Sequence, residues 1–134
     1  MNANFNLQLP SQQQGASVTG VVFGIIAVVV FVKLGMAIIP AHIGDYQLTK
    51  ALAIELKKAN DNKETKQQYL TNIQRQLQIN ANYDTKAEDV IKFISDKPGN
   101  LKIKKDYTVV NNFFANVDIV NHFEGEITAA DASN

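Results

Sequence analysis

GVVFGIIAVVVFVKLGMAIIP, residues Gly20 to Pro40, is the stretch on which the fold turns. It reads as a cleaved targeting signal, a permanent membrane anchor, or the long helix of a pilin-like subunit. From Gly15 to Ile39 the only charged side chain is Lys33. Those 25 residues make a helix of about 37 Å, against a hydrocarbon core of about 30 Å. Fourteen Val, Ile, Leu and Phe residues lie between Val18 and Ile39. At about −0.3 to −0.6 kcal/mol each they contribute about −4 to −8 kcal/mol to insertion, while Lys33 costs at most about 3 kcal/mol and less if it snorkels. Insertion wins. A secretory signal fits less well: residues 1–14 lack a basic segment, the apolar run is long, and Ile39-Pro40-Ala41 is a poor cleavage site.

The expected organisation is a polar arm at 1–14, a transmembrane helix at 15–39, a soluble α+β domain at 40–127 and a flexible tail at 128–134. With 134 residues in all, about ninety remain outside the span, enough for one core. Thirteen basic and thirteen acidic side chains cancel, so no single-sign field points to nucleic acid. The chain has no cysteine, which removes disulfides, thiolate metal sites and a Cys nucleophile. Mean hydropathy is −0.12 although 46% of residues are hydrophobic, so the apolar residues are concentrated, mostly before residue 40.

Within the span, Ala16, Gly20 and Gly24 are spaced by four and share one helix face, which lets another helix approach. Lys33 reads as a snorkelling lysine at the end of the span. Pro40 lacks an amide hydrogen and biases Ile39 away from helix, so a kink or break belongs there. Leu48, Leu52, Leu56 and Ala59 then mark a helix over 45–59. After Asn60-Asp61-Asn62, Asp61 and Glu64 resemble a helix start. Tyr69, Ile73 and Leu77 form the stripe of a second helix over 63–78. Val90 to Ile94 is β-branched and apolar, and Asp96 to Asn100 is a turn signal. Residues 101–109 alternate with period two, Asn111-Asn112 breaks the pattern, and 117–127 alternates again. These are three strands of an antiparallel meander covered by two helices.

No catalytic or cofactor motif emerges. His122, Glu124 and Glu126 would share a strand face, and such a line could ligate a metal or serve a hydrolase. It reads better as a solvated face, as do Lys102 and Lys104. Phe113 and Phe114 fall in an expected hairpin loop. Adjacent aromatics cannot both enter a thin core, so this loop is a candidate contact for a partner or for lipid.

Gln14-Gly15, the glycine-bearing span, Lys33-Leu34, Pro40-Ala41, Tyr46 and Lys50-Ala51-Leu52, followed by Asp106-Tyr107-Thr108-Val109, Phe114-Ala115-Asn116 and His122-Phe123-Glu124, together resemble a small bacterial inner-membrane family known as domain-of-unknown-function family 4845. The resemblance covers most of residues 13–126. It implies a pilin-like layout, a membrane helix followed by a helix packed on an antiparallel sheet, and genes that often neighbour signal peptidase I. It implies no catalytic residue. The chain departs from the family in having Gln12-Gln13-Gln14 in place of basic residues before the span, and Asn112 and Ala115 where the last hairpin tends to carry proline and glycine. Unlike true pilins it has Gly20, not glutamate, five residues after Gly15.

Lys50, Lys57 and Lys58 follow the span, and the positive-inside rule would hold the domain in the cytoplasm. The resemblance implies a periplasmic domain, and long domains cross largely regardless of charge. The expectation is therefore a single-pass bacterial inner-membrane protein with a periplasmic domain, acting as a non-catalytic accessory or scaffold subunit. Its partners are the bilayer and another inner-membrane protein or itself through the span, with no nucleic acid, small-molecule substrate, cofactor or metal. A pilin-like structural subunit of a fibre or pseudopilus, cleaved after Gly15, is the alternative.

Overall fold

A computed structural model describes residues 15, 17–79 and 85–133. The chain forms two compact units, Met1–Val32 and Lys33–Asn134. In the first, the chain is helical from Val18, and Val21, Phe23, Ile25, Val28 and Phe31 all face outward. This helix is the only one among the described residues long and apolar enough to cross a membrane, and 6% of its most apolar window is buried.

The second unit is α+β. The helix, α1 (Val18–Asp61), passes through Pro40 without ending, which corrects the break expected there and the separate helix expected from Asp45. Proline removes the donor that the Met36 carbonyl would use and loosens the preceding turn. In that turn the Ala37 carbonyl accepts hydrogen bonds from the side-chain amides of Asn111, at 3.0 Å, and Asn121, at 3.3 Å. These bonds fasten the hairpin to the turn that precedes the proline.

α1 ends in a Schellman turn. Glu64 N–H donates to the Ala59 carbonyl at 2.8 Å and Lys63 N–H to Asn60 at 3.2 Å, with Lys63 left-handed at φ 53°. The second helix, α2 (Lys66–Ile79), does not start at Asp61. Thr65 caps it: the Gln68 amide donates to the Thr65 hydroxyl at 3.3 Å, and the Gln68 side-chain oxygen accepts from Thr65 N–H at 2.8 Å. A single turn, α3 (Ala87–Val90), leads into β1 (Ile91–Lys97). Pro98-Gly99 reverses the chain, with Gly99 at φ 80°, the left-handed position that a type II turn requires.

β2 (Asn100–Phe114) is central, with β1 on one side and β3 (Val117–Ile127) on the other, all antiparallel. Asn111-Asn112 does not interrupt β2. Asn111 pairs with Ile119, and Asn112 with Asp118. Phe113 and Phe114 therefore end a strand, and the turn itself is Ala115-Asn116. Where a flexible tail was expected, Ala129–Ala132 form a 3-10 turn capped reciprocally by Thr128 and Asp131, and Ala132 packs against the core.

The core lies between the C-terminal half of α1, α2 and the inner sheet face. Leu52, Tyr69, Ile73, Leu101 and Ile103 are its largest fully buried side chains. The Tyr69 hydroxyl donates to the Leu52 carbonyl at 3.2 Å. Glu55, 3% exposed, accepts from the Gln76 amide at 3.2 Å and lies 3.5 Å from the Lys58 ammonium. Asn60 joins the helix end to the start of β2 in both directions: it accepts from Leu101 N–H at 2.6 Å and donates to the Leu101 carbonyl at 3.1 Å. Truncating Asn60 leaves both backbone groups of buried Leu101 unpaired. Asn60→Ala should cost about 2 kcal/mol and lower the Tm of the purified protein by about 10 °C. An unchanged Tm would mean that water replaces the amide.

Candidate functional site at the hairpin docked on α1

Four side-chain clamps tie the long β2–β3 hairpin to α1 between Lys33 and Asn60. Nearest the turn, the Lys33 ammonium donates to the Phe113 carbonyl at 3.0 Å and lies 5.8 Å from the centre of the Phe114 ring. The strand register skips Phe113 between Asn112 and Phe114. A residue at such a bulge is left out of the ladder, and here its carbonyl meets the lysine. Phe113 is half-buried, while Phe114 is exposed. One aromatic covers the edge and its neighbour faces out.

One helical turn further on are the two asparagine bonds to the Ala37 carbonyl. Ala37 and Ala41 are buried, and their small side chains let the strands approach. Beyond them stands Asp45. Both of its carboxylate oxygens lie 2.6 Å from the Lys105 ammonium, which also donates to Thr49 at 2.8 Å. The Tyr107 hydroxyl donates to Asp45 at 3.0 Å. Burial and then the Asp45 charge hold the Tyr107 phenol well above its usual value. Phe123 closes the group, stacked edge-on against His42 at 5.2 Å and tilted against Tyr107 at 5.3 Å. The ion pair is half-buried and fully bonded, so breaking one partner costs more than the pair contributes. Asn60 is the fourth clamp.

The opposite sheet face is open. Lys92 contacts Asp106, and that hydrogen bond is the main cause holding the Asp106 carboxyl below its usual range. Lys104 pairs with Glu124 at 3.2 Å. His122 lies 3.2 Å from the Thr108 hydroxyl and 3.8 Å from both Asp106 and Glu124. Hydroxyl, imidazole and carboxylate in line have the composition of an acyl-transfer site. Yet the His122 side chain is 55% exposed, and Asp106 is already held by Lys92. Glu126 does not join them, and among the described residues no three His, Asp or Glu side chains converge on a metal position. The arrangement is a charge-balanced, solvated face.

Residues 38–123 match the model of a family described as a domain of unknown function, DUF4845. The chain belongs to this family. The DUF4845 match begins one residue past Ala37, so it includes the Asp45–Lys105 cluster, both docking asparagines and the hairpin turn, but not Lys33 or the apolar helix before it. No curated protein and no solved structure matches the chain.

Of the residues singled out in the sequence, Lys33, Phe113 and Phe114 come together. Gly20 and Gly24 lie on the exposed helix, where an added Cβ meets nothing within 4 Å. Ala16 lies outside the described residues. Sequence reasoning missed Asp45, Lys105, Asn111 and Asn121. The available signal was a polar residue on the inner, apolar alternation of a strand, at 105, 111 and 121.

Replacing Asn111 and Asn121 together by leucine removes the donors to Ala37 and should destabilise the unit by about 2 kcal/mol, with protease cleavage of the freed hairpin turn as the readout. A resistant hairpin would show that packing alone seats it. Tyr69, raised by burial and then by Glu55, and Tyr107 bind their protons more tightly folded than unfolded, where a phenol ionises near pH 10. Their contribution is complete below about pH 10 and is lost as pH rises further. In an alkaline titration these two of the four tyrosines should ionise only as circular dichroism is lost. All four ionising while the dichroism persists would contradict this.

Proposed function

We propose that this DUF4845 protein is a single-pass bacterial inner-membrane protein. In this reading α1 is a permanent anchor and the α+β unit, on the periplasmic side, is a non-catalytic accessory or scaffold subunit of a membrane protein assembly. One observation carries the reading. The apolar run is exposed up to Val32, while Lys33 and Ala37 of the same helix are bonded into the folded unit. A core helix of a water-soluble protein would bury that apolar surface. A cleaved signal would be separable from the domain, whereas removal at Ile39-Pro40-Ala41 would discard residues the hairpin holds.

Continuity of α1 also bears on orientation. Lys57 lies 20 residues past Ala37, about 30 Å along the helix. It stands at the edge of the window over which the positive-inside rule counts, which leaves Lys50 as the basic residue nearer the span. The open face around Gly20 and Gly24 supports a second membrane helix as the partner, from another inner-membrane protein or a second copy. The layout of one long helix with an apolar N-terminal part and a C-terminal part packed on an antiparallel sheet favours one other reading, a pilin-like structural subunit. That reading requires processing to a mature N-terminus at Ala16.

The protein should stay with membranes through alkaline carbonate extraction. Because the chain has no cysteine, Ser133→Cys supplies a unique probe, and a membrane-impermeant maleimide should label it in spheroplasts without lysis. Release by carbonate would overturn the anchor. Labelling only after lysis would put the unit in the cytoplasm. An N-terminus at Ala16 would favour the pilin-like subunit, and co-purification of a stoichiometric membrane partner that Gly20→Leu with Gly24→Leu abolishes would favour the accessory role.

A further inference from the structure

If α1 is a membrane anchor, the length of its apolar run places the hairpin turn at the bilayer surface. Val18 to Val32 is 15 residues, a helix of about 22 Å, whereas the hydrocarbon layer is about 30 Å thick. The remaining 8 Å or so is supplied by about five further residues, those from Lys33 to Ala37. These are the residues on which the hairpin is docked, through Lys33 to Phe113 and through Ala37 to Asn111 and Asn121. Whatever depth Lys33 takes, Phe113 shares it.

The open face of the hairpin changes character at that level. On that face the cross-strand pairs, read toward the turn, are Lys104 with Glu126, Asp106 with Glu124, Thr108 with His122, Val110 with Val120 and Asn112 with Asp118; past the bulge at Phe113, Phe114 pairs with Val117 on the helix-facing side, where the Lys33 ammonium lies 5.8 Å from the Phe114 ring. Charge gives way to a more apolar surface from Val110 to Phe114, the last five residues of β2, about 13 Å. Val110, Phe114, Val117 and Val120 are 59%, 67%, 53% and 60% exposed. These exposed apolar side chains gather at the end of the hairpin, with the Lys33 ammonium beside the Phe114 ring. Two polar groups limit how deep it goes. The Asp118 carboxylate accepts from Asn112 at 2.9 Å, and the same amide donates to the Ala115 carbonyl at 2.9 Å. The Lys33 ammonium uses one carbonyl and one aromatic ring. Both charges keep part of their coordination for water or headgroups, which rules out the hydrocarbon centre.

We propose that the β2–β3 turn is seated in the bilayer surface at the headgroup–acyl boundary, with Phe114 and Val117 against acyl chains and Lys33 capped by the Phe113 carbonyl. A phenylalanine with aliphatic neighbours is the kind of apolar surface that interfacial segments bury at the headgroup–acyl boundary. The occupant of the patch is lipid, because the patch is held at the end of the helix segment that lipid must already cover. The proposal rests on the anchor reading above and is separable from it by experiment.

In the full-length chain, single cysteines replace Val28, Phe114, Val110 or Glu126, each carrying a polarity-sensitive fluorophore. The proteins are reconstituted into vesicles of phosphatidylethanolamine and phosphatidylglycerol, with nitroxide groups either near the headgroup or deep in the acyl chain. Val28 should be quenched most by the deep nitroxide. Phe114 and Val110 should be quenched by the shallow nitroxide, several-fold above Glu126, with emission shifted to the blue. If Val28 is quenched while both Phe114 and Val110 behave like Glu126, the turn stands in water and the proposal fails, leaving the anchor intact. If Val28 is not quenched, the anchor reading fails and the proposal falls with it. The Val110 position guards against disturbance of the turn by Phe114→Cys.

Discussion

A helix rises about 1.5 Å per residue and a strand about 3.3 Å, and the second unit is built on reconciling the two. From Lys33 to Asn60, α1 advances 27 residues, about 40 Å. From Phe113 back to Leu101, β2 covers the same 40 Å or so with 12. The clamps sit where the two scales coincide: Lys33 with Phe113, Ala37 with Asn111 and Asn121, Asp45 with Lys105 and Tyr107, and Asn60 with Leu101. A slip of one residue in the strand would turn Lys105 and Asn111 to the open face and bring Lys104 and Asn112 inward. Polar groups on the inner face thus make the register costly to change, beyond what apolar packing against small alanines could do.

This division of labour explains the distribution of side chains along α1. Near its C-terminus, where α2 also covers it, Leu52, Leu56 and Ala59 bury apolar surface in an ordinary core. Toward Pro40 the hairpin is the element hydrogen-bonded to the helix among the described residues. There the contact is made by Ala37 and Ala41 with hydrogen bonds from asparagine, and Lys105 is neutralised by Asp45. A thin contact that cannot bury much area depends more on directional bonds.

Much of this was legible in the sequence. The apolar run, the stripes at Leu52-Leu56-Ala59 and Tyr69-Ile73-Leu77, and the period-two strands fix their own partners through burial, and local spacing records that. What failed were local punctuation signals overruled by contacts distant in sequence. Pro40 predicts a kink or break, yet the helix does not end there and runs on to Asp61, with Asn111 and Asn121, seventy and more residues away, bonded to the turn before it. Asn111-Asn112 predicts a turn, but the side chains of these residues bond to Ala37 and Asp118, so the strand continues. Asp61 looks like a cap, yet Thr65 with Gln68 makes the better box. Lys33 and Phe113-Phe114 could be singled out separately, but nothing in the sequence joins them.

The turn itself shows what the docked position costs. Ala115 sits at φ 49°, a left-handed conformation that an alanine adopts at a cost of about 1–2 kcal/mol and a glycine does not. Phe113 is bulged out of register, which gives up ladder bonds next to the turn. A plain two-residue hairpin with glycine or asparagine at the first turn position would avoid both. The bulge turns the Phe113 carbonyl toward Lys33, and the Asn112 amide bridges Asp118 and the Ala115 carbonyl across the strained corner. The interactions that hold the turn are therefore the ones that give Lys33 an acceptor. A lysine within an apolar helix needs such an acceptor most where water is scarce, so the strained corner and the charge in the apolar run are two sides of one arrangement.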